Sequence, residues 1–301
     1  MTQQATEIST RRRDDRSALA RFWRVTLRFI RSKPLGAAGL AIILLAALIA
    51  LAAPLIAPFD PTEVNGKEIL ASPNATFWFG TDFLGRDILS RIIWGTRVSL
   101  YVGVVGMVMA ITFGALVGVL SGYAGGWFDL IVQRFVDALI AFPSLLLAIA
   151  IMAALGQSLN NVILAIVIVF IPRVARVIRS EVLSVKERVY IDAARAIGAS
   201  IPRITLRHIL PNTFAPLIII GTSLTGNMII IEASLSFLSV GAPSSVISWG
   251  SMLGGDTQTY FATAPWIAIF PGVALIIVVF GMNILGDALR DVLDPRLRGA
   301  R

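Results

Sequence analysis

The chain has 301 residues, of which 56% are hydrophobic and only 15% charged, whereas a soluble domain carries about a quarter charged residues. That little polar material cannot cover a water-exposed surface, so a bilayer is the natural solvent. With no cysteine and one histidine, His208, the chain lacks the residues for a disulfide framework, a thiol nucleophile or a His/Cys metal cluster, and the placement of its +8 net charge says more than its size.

The first 33 residues hold nine of the 26 Lys and Arg residues and show no promptly following small-residue cleavage site, so the N-terminus is expected to be retained. Within them, Arg21, Arg24 and Arg28 share one helical face while Phe22, Val25 and Phe29 share another. Residues 18–30 therefore fit a basic amphipathic helix on anionic lipid, or equally a simple topology signal. Neither reading calls for nucleic acid.

Crossing ~30 Å of hydrocarbon takes about 20 apolar helical residues. Charge-free runs place spans at 35–57 and 99–123, followed by a turn at Gly125-Gly126. A third span is expected over 130–155, carrying Arg134 and Asp137 near its start as an interfacial pair one turn apart. After the polar connection 156–161 a fourth span runs to 178, a fifth covers 213–238 and a sixth 266–289. On this reading 22 of the 26 basic residues fall on one side, and only Lys67, Arg86, Arg91 and Arg97 on the other. Basic loops stay in the cytoplasm, so both termini are cytoplasmic and the number of spans is even. The fold class is all-α, a polytopic transmembrane helical bundle of about six spans. It divides into a basic segment 1–33, a first span with outer loop 34–97, a core 98–289 containing a cytoplasmic loop 181–212, and a tail 290–301.

That cytoplasmic loop is the most informative stretch. Alanines and long side chains favour helix up to Ile197, and Gly198 is placed to stop it. Ser200 is expected to cap a second short helix with Pro202 in its first turn, and Pro211 to break that helix before the fifth span. A stiff helix-glycine-helix unit suits a groove on another protein. In the fifth span Glu232 stands alone among apolar residues, at a cost of roughly 2.5–3.5 kcal/mol on insertion scales. It either lines a polar path or is a buried group held by neighbours such as Ser234 and Ser236. Asp82, Arg86 and Asp87 of the outer loop either pair among themselves or shape an outer gate, and the tryptophans near span ends read as interfacial anchors.

Asp192-Ala193-Ala194, then Gly198, then Leu210-Pro211 resembles the EAA loop of bacterial ABC importer permeases, with Asp192 in place of glutamate and His208 in place of isoleucine. Three further stretches are similar to the oligopeptide/dipeptide (and nickel) branch of that family. They are Phe79-Gly80-Thr81-Asp82 with Leu84 to Asp87 and Leu89 to Arg91, then Glu232-Ala233 with Leu235 to Leu238 and Ser248-Trp249-Gly250, and the C-terminal run Pro265-Trp266 to Arg296. The resemblance implies a multi-pass protein of the bacterial inner membrane in which Asp192, Ala193, Ala194, Gly198, Leu210 and Pro211 form a unit that docks in a cytoplasmic ATPase. It further implies a second homologous permease subunit, one or two ATP-binding subunits, and an extracytoplasmic binding protein that delivers substrate, with peptide as the expected cargo. No Gly-x-x-x-x-Gly-Lys-Ser/Thr loop is present, so ATP and Mg are expected on the partners, with no cofactor and no enzymatic activity in this chain. A secondary transporter or channel subunit is the alternative, but no repeated motif with paired broken helices appears.

Overall fold

A computed structural model describes residues 29–293. The face expected over 18–30 lies outside them apart from its last two residues, as does the tail beyond 293. Among the described residues the architecture is all helical, with one isolated bridge between Thr81 and Asp87. Helix α1, Pro34–Ile56, begins on a proline that fits a first helical turn. Helix α2, Ile88–Ala124, has 37 residues and is about 55 Å long. It starts eleven residues before the expected span because Asp87 caps it, accepting the Ser90 N–H at 2.8 Å, so the expected division at 97/98 falls inside a helix. Gly125, at φ 65, ends it.

The third span is not one helix. Helix α3, Gly126–Ala141, and helix α4, Ser144–Leu155, meet at a 97° bend. Phe142 is extended because the residue before a proline is pushed out of the α region, and Pro143 has no N–H to continue the ladder. The expected Arg134–Asp137 pair is absent as well. Asp137 instead accepts from Arg176 of helix α5, Leu159–Lys186, at 2.5 Å, and Arg134 is exposed. Asp129 takes Arg179 in a two-pronged pair at 2.6 and 2.5 Å, and Ser144 accepts from Arg173 at 3.1 Å. Residues 129 to 144 thus meet arginines that rise only ~9 Å along α5. Helix α3 therefore lies across the cytoplasmic end of α5, and α4 alone climbs toward the outer side.

Helix α6, Val189–Ala196, follows, and then a turn of helix α7, Ile201–Ile204. The expected break at Pro211 does not occur. A π turn, Thr205–Ile209, leads straight into helix α8, Leu210–Phe237. The Leu210 N–H bonds back to Thr205, and this wider turn gives the proline ring, in the first turn of α8, room without a chain break. Short helices α9, Trp249–Leu253, and α10, Thr257–Tyr260, precede α11, Trp266–Leu293.

Lys33 and Asp291 form an ion pair at 2.5 Å, which puts the start of α1 beside the end of α11. Both ends of the described chain therefore lie on one face, and the crossings are even in number. Five helices are long and apolar enough to cross a membrane, so the bent α3–α4 pair makes the sixth crossing. In lipid, helices associate by close packing rather than by hydrophobic exclusion, and small residues permit it. Gly114, Gly118 and Gly122 do this along α2, where an added Cβ would lie 2.5 Å from Val174, 2.6 Å from the Ala175 carbonyl and 3.1 Å from Val182 of α5. Gly36 and Gly39 of α1 sit in the same way against Ala288 and Gly281 of α11. The main core joins α2, α5, α6 and α8, and a second cluster around Ile88, Trp249 and Ile267 fills the outer end.

Candidate functional site

The cytoplasmic unit is anchored on one face and bare on the other. In α6, Ile191 and Ala194 point into the main core together with Ile204 and Ile209 of the following turns. Asp192 and Ala193 are exposed, and among the described residues Asp192 pairs only with Arg195, at 3.0 Å. Gly198 closes the helix at φ 80, where an L side chain is strained. Its N–H bonds the Arg195 carbonyl at 2.9 Å and the Ala199 N–H bonds the Ala194 carbonyl at 3.0 Å, the two bonds of a Schellman stop. Ser200 occupies the next N-cap by backbone alone, without the side-chain bond expected of it. Leu210 and Pro211 belong to the first turn of α8 and join the unit rigidly to that span. Around Gly198, Val189 is 83% exposed and Ile197 85%, with Ile201 and Leu206 also open. Asn212 ties the base of the unit by donating to the His208 carbonyl at 2.6 Å.

The outer end is knit by polar groups. Asp82 uses one oxygen for the backbone N–H groups of Leu84 and Arg86, at 2.9 and 3.0 Å, and the other for Arg86 Nε at 2.7 Å. The same oxygen is 3.6 Å from Arg91 Nε. Asp87 does not join that cluster; it is turned to the α2 terminus, bonding Ser90 through both N–H and hydroxyl. Ser90 in turn accepts from the Phe59 N–H at 3.0 Å, which fastens the end of α1 to the start of α2. Trp249 is buried and donates to the Ile92 carbonyl at 3.2 Å.

Glu232 is fully buried in α8. Its carboxyl accepts from Ser236 at 2.9 Å and Ser99 at 3.3 Å, and also meets Ser248, the N-cap of α9. One carboxyl thus links α2, α8 and the outer segment, and no basic group is among the partners described for it. Within this chain it is shielded from solvent rather than open to a path. The structure therefore brings Asp82 and Arg86 together, places Asp87 and Glu232 in separate roles, and sets the cytoplasmic residues at the opposite end of the bundle. The sequence placed Arg91 and Trp249 on the outer side, Trp249 as an interfacial anchor, but the structure buries Trp249 in the packing of that end; the part Ser248 plays beside Glu232 was not read from the sequence. The stretches that hold these three residues carry the family resemblance, but no local signal shows which groups they meet.

Residues 110–299 match the family model for the binding-protein-dependent transport system inner membrane component, and residues 21–73 that for the N-terminal TM domain of oligopeptide transport permease C. The chain belongs to the binding-protein-dependent transport system inner membrane components. It is a multi-pass permease subunit of an ABC importer in the bacterial inner membrane, and it works with partner subunits. Among curated relatives of this inner membrane component is the dipeptide transport system permease protein DppC of Alkalihalophilus pseudofirmus, 44% identical over 92% of this chain and 90% of the relative. Another is the glutathione transport system permease protein GsiD of Pectobacterium atrosepticum, 42% identical over 92% and 91%. An inward-facing structure of the MetNI methionine ABC transporter superposes with a TM-score of 0.58 at 19% identity, covering 69% of this chain and 98% of that one. That likeness carries the fold alone.

Proposed function

We propose that this permease encloses half of a translocation path for short peptides, with a second homologous permease supplying the other half. ATP and Mg are held by one or two separate ATPase subunits that grip the α6–Gly198–α7 unit, and an extracytoplasmic binding protein delivers the cargo to the outer loops. This chain itself carries out no covalent chemistry and holds no cofactor. The observation that carries the reading is the two-sided character of the cytoplasmic unit. Ile191, Ala194, Ile204 and Ile209 lock it to the core, while Val189, Ile197, Ile201 and Leu206 form a bare apolar patch beyond the basic ends of the spans. A patch of that kind on a monomer marks a protein-protein contact, and its rigid seat lets motion of the partner reach α8 through the π turn. Peptide as cargo rests on the dipeptide and glutathione relatives and on nothing local.

In physical terms, closure of the ATPase pair pushes α6 as a lever and tilts α5 and α8, switching access between the two sides of the membrane. The test is Gly198→Leu in the assembled importer, reconstituted in vesicles with its binding protein. Insertion and assembly are expected to persist while peptide uptake per ATP hydrolysed collapses. Uptake at the wild-type ratio would count against coupling through this unit.

A further inference from the structure

At the outer end, remote from the coupling unit, the described residues line a half-open cavity of about 410 Å³. Pockets of ~300–1,000 Å³ hold small ligands, so a di- or tripeptide fits the space. Two guanidinium groups line it. Arg91 is only 6% exposed, gives Nη1 to the Pro61 carbonyl at 3.0 Å, and has its Nε 3.6 Å from Asp82. Arg86 gives Nε to Asp82 at 2.7 Å and rests its guanidinium on the Phe83 ring, 5.5 Å from the centroid. Among the described residues the two terminal nitrogens of Arg86 have no hydrogen-bond partner. Among the described residues Asp82 is the carboxylate that serves both arginines, Asp87 being turned to Ser90. Two guanidinium groups thus share one directly paired carboxylate at the wall of the pocket, which leaves the terminal nitrogens of Arg86 to receive an anion. A planar guanidinium fork is best met by a carboxylate taken in two prongs.

The same cavity is lined by Asp256, an exposed residue whose carboxylate has no hydrogen bond or ion pair among the described residues. Gln157 and Ser239 add polar wall and are themselves joined, Gln157 donating to the Ser239 carbonyl at 2.7 Å. One half-open pocket therefore offers guanidinium donors without partners, a carboxylate without a partner and neutral hydrogen-bonding groups, which is the pattern of a zwitterion's counterparts. We propose that this cavity is a subsite for a short peptide in transit, Arg86 and Arg91 receiving its C-terminal carboxylate and Asp256 its amino group. The inference rests on peptide being the cargo.

The test uses the importer assembled with its partner subunits in nanodiscs, without the binding protein, and isotope-labelled dialanine as probe. Saturable binding is expected, with dialanine amide, which lacks the carboxylate, about tenfold or more weaker because a charge-assisted pair is lost. Arg86→Gln should weaken dialanine by a similar factor and abolish the difference between acid and amide. Arg86→Lys should restore part of both, and Asp256→Asn should act on the amino end only, leaving the acid-amide ratio intact. Equal binding of acid and amide, absence of saturable binding, or no effect of Arg86→Gln would each overturn the subsite. So would an Arg86→Gln effect confined to capture of the binding protein, which would make the cavity a socket for an acidic side chain of that protein. Uptake assays on the wild-type importer with its binding protein separate the two levels. No uptake of any peptide from dialanine to pentaalanine removes peptide as cargo and the subsite with it, whereas uptake without cavity binding removes the subsite alone.

Discussion

The two ends of this bundle solve opposite problems. The outer end is closed on itself: Trp249 is bonded to the Ile92 carbonyl, Glu232 gathers three serines, and Asp82 holds two arginines. The cytoplasmic end is left unfinished, with large apolar side chains projecting past a rigid glycine stop. The difference teaches that one end is built to hold its shape alone and the other to be completed by a second protein. Two glycines state the contrast in miniature. A Cβ at Gly250 would run into the Ala233 backbone, whereas at Gly198 it would meet open space and suffer only from φ 80.

The contrast can be broken most forcefully at Trp249. Trp249→Ala removes a buried ring together with its hydrogen bond to the Ile92 carbonyl, which keeps the Thr96 hydroxyl as a donor, and is expected to cost about 3–5 kcal/mol, seen as a large drop in the melting temperature of the detergent-purified complex. Glu232→Ala should cost about 1–3 kcal/mol by leaving buried hydroxyls without their acceptor. Glu232→Gln, which keeps an acceptor in place, should recover most of that loss in the same melt. Gly250→Ala overpacks the outer end by about 1–3 kcal/mol, and it should exceed Gly198→Ala, whose left-handed backbone strain is about 1–2 kcal/mol. The reverse order would mean that the outer end yields more readily than its packing indicates. Asp137→Asn, which cuts a pair about half exposed on both sides, is expected to cost at most about 1 kcal/mol. At the far end of the scale, the double change Val189→Ser with Ile197→Ser should move stability by no more than about 0.5 kcal/mol. It should nonetheless abolish co-purification of the ATPase. A large stability loss there would show that the patch supports the fold rather than a partner.

The cytoplasmic unit was legible because its signals are local. An alanine-rich run ending in glycine at 198 dictates a helix and its stop through backbone bonds spanning six residues, and those bonds are present. The outer end was far less so. Arg91 read as one more extracytoplasmic charge and Asp256 passed without notice, because what matters about them is shared access to a cavity between segments more than 150 residues apart. The third span misled for a related reason. A long apolar run says that a segment tolerates lipid, but not which way it points, and Pro143 turns α3 to lie across α5 where Arg176 and Arg179 meet its carboxylates.

The sequence alone determined the solvent, the helical bundle with its even number of crossings and the helix-glycine-helix unit, since charge, apolar length and backbone permissiveness act within a few residues of one another. Only the tertiary structure decided that the third crossing is bent, that Pro211 continues a helix through a π turn, and that Glu232 and the Asp82 arginines sit in different clusters. Those outcomes depend on which side chains meet across helices, and lipid, being as apolar as the helix faces, leaves that choice to close packing and to the few polar groups that must find one another.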